Sequence, residues 1–297
     1  MQAHALTSRL CWTLQNGSDI VYNPSKTWTF DAIQPAFPYL TVLASGGHTM
    51  LLQSTDLCEH TILAETQDIA VGDCLDKAAR AIVPTELCQP PYGRALERFA
   101  FPNGEQDYNY VAPRSRKEEL RERPTEWSWS FRLPLQNKSG EKTDRRMQYS
   151  FAGMLSQAER YMRGADMSLG ERRDMAREVL RVAFEHLVTR ILLHLSESAA
   201  KSVNTIVISG GVASNKYLRH VLRRMLDARG FEHIATVFPP VELCTDNALM
   251  IAWAALEMYS AGYTTSLDVE PIRKWSMDSC DTSGGILGAT GWLHSDP

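Results

Sequence analysis

Two short apolar runs in the sequence end in the same tripeptide. Residues 40–47 read L-T-V-L-A-S-G-G, and residues 204–211 read N-T-I-V-I-S-G-G. Runs of this kind are typical of buried strands, and a glycine pair leaves backbone N–H groups uncovered because glycine has no Cβ. Such loops hold phosphates or nucleotides. The repeat therefore suggests a fold with two related halves and a ligand between them.

The rest of the apolar pattern predicts an alternation of helices and strands. Helical spacing predicts helices over residues 1–12, 64–83, 151–163, 170–200, 215–229 and 248–259, and further strands are expected at residues 50–53 and 235–238. This alternation is typical of an α/β protein. Both glycine loops then follow the carboxyl ends of strands, where open α/β sheets bind their ligands.

Residues 84–150 have a different character. Pro and Gly cluster at the start, and Arg114 to Arg146 contains ten Lys and Arg against six Asp and Glu. Trp127 and Trp129 alternate with serines, as in a strand or a loop. We expect an exposed or variable basic insertion here, able either to contact RNA phosphates or simply to face solvent. The tail from Thr264 is expected to be irregular.

Composition narrows the class of protein. A net charge of −4 and a pI of about 6.1 argue against a protein that is basic all over. None of the six cysteines forms a C-x-x-C pair, which argues against zinc ribbons and thioredoxin-type sites and fits a reducing compartment. No run of 18 apolar residues is present, so no membrane span is expected.

Several polar residues are candidates for chemistry, each with a structural alternative. The Ser45-Gly46-Gly47 loop offers backbone donors, although a tight hairpin turn explains it as well. Asn215 follows the second loop and either caps a helix or binds a ligand. Asp76 shares a predicted helix with Asp68, Asp73 and Lys77, and points either to a cleft or to solvent. Asp73 and Lys77 have the spacing of a surface ion pair.

A further candidate lies in the segment Cys244-Thr245-Asp246-Asn247, before an Ala-rich helix. Thr245 is a possible cap, with Asp246 in the first turn. As a metal ligand, Asp246 would need a distant partner, and His4 is the candidate.

Seven motifs occur in an order that resembles the tRNA N6-adenosine threonylcarbamoyltransferase family, from Met1 to about Asp278. They are M-Q-A-H-A-L, S-G-G-H-T, E-T-Q-D-I-A-V-G-D-C-L-D-K-A-A-R, Y-G-R-A-L-E-R, Y-S-F-A-G-M, S-G-G-V-A-S-N-K-Y-L-R and C-T-D-N-A-L-M-I-A. The start of the chain, His48 and residues 272–278 are most similar to the mitochondrial branch, which implies a mitochondrial location.

The resemblance implies an actin- and hexokinase-like fold with two lobes around a nucleotide cleft. It implies transfer of threonylcarbamoyl from threonylcarbamoyl-AMP to the N6 amine of the adenosine beside the anticodon, in tRNAs that read codons beginning with A. Both glycine loops would then lie on the C-terminal lobe. The implied substrate-binding residues are Leu43, Ala44, Ser45, Gly46, Gly47, Asp76, Gly93 and Asn215, and the implied ligands of one zinc or iron ion are His4 and Asp246.

The sequence departs from the family pattern in places. Tyr92-Gly93-Arg94 keeps one glycine of the family's Gly-Gly pair, and Tyr149-Ser150-Phe151-Ala152-Gly153 replaces F-S-F-S-G. The family metal motif is H-x-x-x-H, and its first histidine would precede Met1. We therefore expect a truncated chain that lacks the N-terminal lobe and its catalytic acidic residue, so the catalytic residue is unknown and activity is expected to be impaired.

The resemblance also divides the chain. Residues 1–36 are expected to be a remnant of the N-terminal lobe, 37–275 the C-terminal lobe with a helical subdomain and the insertion at about 105–148, and 276–297 the tail. Expected partners are tRNA, a separate synthase that supplies the donor, and a second copy of the chain, with no membrane. The alternatives are a non-catalytic paralogue that keeps nucleotide or tRNA binding, or, less favoured, an ATPase or sugar kinase of the same fold.

Overall fold

The computed structural model describes residues 1–16, 33–137, 140–141, 145–164, 166–197, 202–270, 275–281, 285–287 and 292–294. Residues 17–32 of the expected N-terminal remnant, and residues 272–274 of the stretch at 272–278 that is most similar to the mitochondrial branch, lie outside the described residues.

Eight helices and ten strands are formed by the described residues. The helices are α1 (Gln2–Asn16), α2 (Val71–Ile82), α3 (Tyr92–Ala100), α4 (Arg116–Glu119), α5 (Ala152–Met162), α6 (Leu169–Leu195), α7 (Lys216–Ala228) and α8 (Ala248–Ser260). The strands are β1 (Tyr39–Ala44), β2 (Thr49–Ser54), β3 (His60–Thr66), β4 (Gln136–Asn137), β5 (Gly140–Glu141), β6 (Gln148–Tyr149), β7 (Thr205–Ser209), β8 (Ala235–Val237), β9 (Tyr263–Thr264) and β10 (Leu293–His294).

A six-stranded mixed sheet organises the fold, in the order β6-β3-β2-β1-β7-β8. Strands β1, β2 and β3 form an antiparallel meander, while β7 runs parallel to β1 and β8 parallel to β7. Every residue of β1 is buried, as expected for a strand covered on both faces. The predicted α/β class is confirmed, and the expected second strand at residues 50–53 is β2.

Each face of the sheet has its own core. Leu40, Val42 and Ala44 of β1 pack with helices α2, α3, α5, α6 and α7 in the larger cluster. Leu43 points to the other face, where it packs with Ala5 of α1 and Met50 of β2. The alternation of β1 side chains thus buries apolar residues on both sides of the strand that carries the first glycine loop.

Helix α1 is fixed to the fold by a buried ion pair. The Arg9 Nε–H donates to Glu257 of α8 at 2.8 Å, and the two side chains are 5% and 2% exposed. Arg9 also donates to the carbonyls of Ile33 and Pro35. Removing one partner of such a pair leaves an unpaired buried charge, at a cost of about 3–5 kcal/mol. The pair therefore fixes the helix on which His4 lies.

The single helix expected over residues 64–83 is replaced by the end of strand β3 followed by the shorter helix α2. Residues 60–66 form β3, which pairs with β2, and the helix begins only at Val71. Asp68 consequently lies before the helix, where its carboxylate accepts from the Ser150 hydroxyl and from the Phe151 N–H at the start of α5. Cross-strand pairing outweighs the helical preference of Ala64 and Glu65.

The segment at 105–148 is less exposed than expected. Tyr110, Trp129 and Phe131 are buried in the larger core, at 6%, 4% and 4% exposure. Arg116 pairs with Glu119 and Arg123 with Glu185, so part of the local positive charge is neutralised within the fold. Buried aromatic residues anchor this segment to the domain.

The described part of the tail is also packed against the domain. Met277 and Ile286 are each 3% exposed, β10 pairs with β9, and Asp278 forms a bridge with His60. The irregular backbone expected there is thus held by buried side chains.

Candidate active site

Both Ser-Gly-Gly loops lie at the same edge of the sheet. Strands β1 and β7 are parallel neighbours, with Leu43 opposite Ser209, so the two loops leave the sheet side by side. The loops do not belong to two related halves, as the repeat alone suggests. They lie on one sheet, as the family resemblance implies.

The first loop leaves its glycines open. The Ser45 hydroxyl accepts from the N–H groups of Gly47 at 3.2 Å and His48 at 3.0 Å, which holds the turn. No atom lies within 4 Å of the position that a Cβ would take on Gly46 or Gly47. Leu43 and Ala44 are 3% and 0% exposed, so they support the loop from within the sheet.

Helix α2 begins against this loop. The Gly72 N–H donates to the Ser45 carbonyl at 3.0 Å, and the Val71 N–H donates to the Thr49 hydroxyl at 2.8 Å. A Cβ on Gly72 would lie 2.6 Å from the Ser45 carbonyl oxygen, so only glycine allows this approach. The start of α2 therefore presents the positive end of its dipole beside the loop.

The second loop is constrained by its neighbour. Gly210 has φ of +93° and ψ of 167°, a conformation that is essentially restricted to glycine, and its Cβ would lie 2.4 Å from the Ala44 carbonyl oxygen. A 3-10 turn, Gly211–Ser214, follows. Asn215 then caps α7, because its Oδ1 accepts from the Leu218 N–H at 3.0 Å.

Asp76 and Gly93 meet across the site. The Gly93 N–H, in the first turn of α3, donates to Asp76 Oδ1 at 2.9 Å. This contact fixes the α2 carboxylate against a helix N-terminus, where negative charge is favoured. Asp73 instead pairs with Lys77 at 2.7 Å on the surface, which is the structural alternative for that residue.

Glu97 is a site residue that the sequence analysis did not single out. Its Oε1 accepts from the N–H groups of Lys216 at 2.8 Å and Tyr217 at 3.1 Å, at the N-terminus of α7. Burial raises the pKa of the carboxyl, and the backbone N–H groups of Tyr217 and Lys216 oppose that rise. The A-L-E-R motif contained the residue, but no spacing linked it to a helix that begins 119 positions later.

These elements enclose a pocket of about 250 Å³, near the lower limit for small-molecule sites. Four of the predicted substrate-binding residues line it, namely Gly46, Asp76, Gly93 and Asn215, together with Glu97 and Thr245. Leu43, Ala44, Ser45 and Gly47 are not among its lining residues; they form the strand end and turn behind Gly46. The pocket thus combines backbone donors with two carboxylates.

His4 and Asp246 meet beside this pocket. His4 Nε2 lies 2.8 Å from Asp246 Oδ1, and His4 Nδ1 shares a hydrogen bond of 3.2 Å with the Ser209 hydroxyl. Burial lowers the pKa of His4, against the hydrogen bond to Asp246, so the imidazole is kept neutral, as metal binding requires. Thr245 is not the cap of α8: Asn247 is, through the Met250 N–H at 2.9 Å, and Asp246 lies outside the helix.

The donor set fits a divalent ion in part. An imidazole nitrogen and a carboxylate oxygen are ordinary ligands of zinc and iron, and Ser209 orients the imidazole as outer groups do in metal sites. Among the described residues, no group of three or more His, Cys, Asp and Glu side chains could surround an ion. The pair could supply two of the three protein ligands usual in a catalytic site.

The sequence matches the TsaD family, described as tRNA N6-adenosine threonylcarbamoyltransferase, over residues 25–253. The chain belongs to this family, and its α/β fold is of the actin- and hexokinase-like class. Within the described residues, no helix has the length and apolar character needed to cross a membrane.

Similar proteins carry the same description. The mitochondrial tRNA N6-adenosine threonylcarbamoyltransferase of Schizosaccharomyces pombe is 38% identical over 262 residues, covering 86% of this chain and 57% of that protein. The protein of that description from Sinorhizobium medicae is 30% identical over 94% of this chain and 64% of its own length. Among solved structures, HypF of T. kodakarensis has a TM-score of 0.43 and 14% identity over 77% of this chain and 35% of that one, a likeness too distant to bear on the fold.

The chain therefore spans about three fifths of the length of these curated relatives.

Proposed function

We propose that this chain binds threonylcarbamoyl-AMP in the pocket between its two glycine loops and acts in threonylcarbamoyl transfer to tRNA. The observation that carries the proposal is that several groups suited to binding an adenylate line one pocket. Two loops of bare backbone donors, the start of α2 and the carboxylate of Asp76 all face a single pocket beside the His4–Asp246 pair. Family membership supports the same reaction.

Each part of the pocket has a role in binding the donor. The N–H group of Gly46, in the turn that Ser45 and Gly47 complete, and the α2 dipole would hold the phosphate and acyl region, because they offer positive potential without bulky side chains. Asp76, Gly93 and Asn215 would hold the ribose and adenine side. Asp76 can accept a ribose hydroxyl because Gly93 already orients its carboxylate.

Transfer needs positioning more than acid or base strength. The N6 amine of the acceptor adenosine attacks the carbamoyl carbon, the bond from that carbon to the phosphate oxygen breaks, AMP leaves, and the amine loses a proton. The mixed anhydride is already reactive, so alignment and charge stabilisation lower the barrier. A divalent ion held by His4 and Asp246 would supply Lewis-acid stabilisation of negative charge.

The wider biological setting belongs to the same proposal. The ion would be zinc or iron, a separate synthase would supply the donor, the acceptor would be a tRNA reading codons that begin with A, and the chain would act in mitochondria, as a homodimer. The mitochondrial relative supports the location, and the shared family supports tRNA as the acceptor.

A non-catalytic binder is the second candidate, and the two-ligand metal pair favours it. Incubating the purified chain with donor and unmodified tRNA separates the two functions. Formation of modified adenosine would support transfer. Donor binding without product would support the non-catalytic binder. Absence of both product and donor binding would overturn both functions.

The pocket assignment has a matched control on the same helix. Asp76→Asn should weaken binding of AMP about tenfold, because a charge-assisted hydrogen bond is lost, while Asp73→Asn, whose parent pairs with Lys77 outside the pocket, should not. Calorimetric titration with AMP measures both. Equal affinities in the two variants would contradict the placement of the nucleotide.

A further inference from the structure

A second concavity adjoins the proposed donor pocket. It has a volume of about 370 Å³ and is formed by helix α3 and the loop at residues 86–91. Pro91 and Arg94 line both spaces, so the two are adjacent. We call this second space the α3 groove.

Two arginines on α3 face the groove. Arg94 and Arg98 lie one helical turn apart, both are exposed, and both line the groove. Among the described residues, neither forms a hydrogen bond or an ion pair of 4.0 Å or less, and Glu86 on the opposite wall is paired with neither. Like charges at this spacing destabilise a helix slightly, so the arrangement gains from an added anion.

Neighbouring carboxylates are not paired with these two arginines. Glu97, between them in sequence, accepts from N–H groups at the start of α7. Asp76 accepts from the Gly93 N–H at the start of α3. Both carboxylates line the donor pocket and not the groove. Glu86 is the carboxylate among the residues that line the groove, so two arginines against one carboxylate leave one net positive charge in its lining.

We propose that the α3 groove binds the phosphodiester backbone of the RNA strand next to the nucleoside that enters the pocket. This inference rests on the proposed function, because it takes tRNA as the acceptor. Arginine binds phosphate oxygens through paired N–H donors, and backbone contacts of this kind position a nucleic acid without reading its sequence.

The positions of the two arginines predict different roles. Arg94 lies at the boundary and lines both the donor pocket and the groove, whereas Arg98 lines only the groove. Arg98 is therefore the residue whose loss should affect RNA without affecting the nucleotide. Gln89 and the exposed Leu87 complete the opposite wall.

Binding of unmodified tRNA to the full chain tests the groove, over a series of salt concentrations. Arg98→Gln should weaken binding about fivefold at moderate salt and reduce the slope of log affinity against log salt by about 1. The Arg94→Gln, Arg98→Gln double variant should reduce that slope by about 2. Arg98→Lys should keep most of the slope. Arg163→Gln is the matched control, since Arg163 is exposed and does not line the groove.

The readouts keep the groove and the proposed function apart. AMP affinity and thermal unfolding of Arg98→Gln should equal those of the unmodified chain, which excludes a folding defect. If the chain modifies tRNA but Arg98→Gln binds it with unchanged affinity and slope, the groove is wrong and the function stands. If the chain binds tRNA through Arg98 but forms no product, the groove stands and transfer falls. Absence of tRNA binding, or equal binding of a polyglutamate peptide, overturns the groove.

Discussion

The two Ser-Gly-Gly loops have the same sequence and different physical constraints. In the first loop the serine holds its own turn, and the glycine Cβ positions are open. In the second loop the serine contacts His4, and the first glycine lies against the Ala44 carbonyl with a left-handed φ. One loop therefore uses glycine to leave space for a ligand, and the other uses it to fit beside a neighbouring strand.

The largest contrast is expected between Gly210→Ala and Gly47→Ala. Gly210→Ala combines a strained backbone with a Cβ 2.4 Å from a carbonyl oxygen, and should lower the free energy of unfolding by about 4 kcal/mol. Gly47→Ala should change it by less than about 0.5 kcal/mol. Urea denaturation of both variants measures the difference, and a loss under about 1 kcal/mol for Gly210→Ala would contradict the proposed constraint.

The hairpin behind the first loop should respond to acid. His60 joins β2 to β3 through Ser54 and the Leu57 carbonyl, and burial lowers its pKa to about 4 from 6.5, against smaller effects of Leu57, Asp56 and Asp278. Between these values the unfolded chain binds a proton that the folded chain does not, so stability falls as pH falls. The loss attributable to His60 from pH 6.5 to pH 4 is about 3 kcal/mol.

His60→Gln tests whether the hairpin behind the first loop responds to acid while the strand β7 before the second loop does not. Urea denaturation at several pH values should show a flatter dependence for His60→Gln than for the unmodified chain, whereas the exposed His233→Gln should keep the full dependence. Hydrogen exchange at acid pH should increase in β2 and β3 before β7. A pH dependence unchanged by His60→Gln would assign the acid response to other groups.

The two loop serines should differ in what their loss affects. Ser209→Ala removes the partner of His4 Nδ1 and should weaken zinc binding tenfold to a hundredfold, with AMP affinity retained. Ser45→Ala removes the acceptor for two loop N–H groups and should lower stability by about 1 kcal/mol and weaken AMP binding, with zinc affinity retained. Titration of both variants with zinc and AMP gives the four values; a shared effect would mean that the loops act as one unit.

Gly47→Ala should have the smallest effect on stability and still affect the nucleotide. Its added methyl group meets no protein atom within 4 Å, so a loss of AMP affinity would report a ligand close to the loop. Calorimetry should show several-fold weaker AMP binding in a variant with normal thermal unfolding. Unchanged affinity would mean that the phosphate does not lie close to Gly47.

Local patterns predicted much of the fold. The strands before both loops and helices α5 to α8 follow from apolar periodicity. Of the two roles that the sequence leaves open for Asn215, helix cap or ligand contact, the structure shows the cap. The helix predicted over residues 64–83 began too early because Ala64 and Glu65 favour helix locally, while pairing with β2 decides their structure. That pairing depends on tertiary contacts, which periodicity does not report.

The site was predictable only where the family motifs supplied the long-range information. The pairing of His4 with Asp246 joins residues 242 positions apart, and the resemblance alone brought them together. Glu97, Gly72 and Ser209 act through contacts with distant backbone or side chains, so their roles became visible only in three dimensions. Buried Trp129 and Phe131 were missed because the charges around them suggested an exposed segment.

The pairing of β1 with β7 has a consequence for the order of folding. The hairpin of β1 and β2 is local, but β1 meets β7 only after more than 160 intervening residues have been arranged. During synthesis the first loop can form while the second half of the pocket is still absent, and β1 then has one open edge. Nucleotide binding would therefore report that this long-range pairing of β1 with β7 is complete.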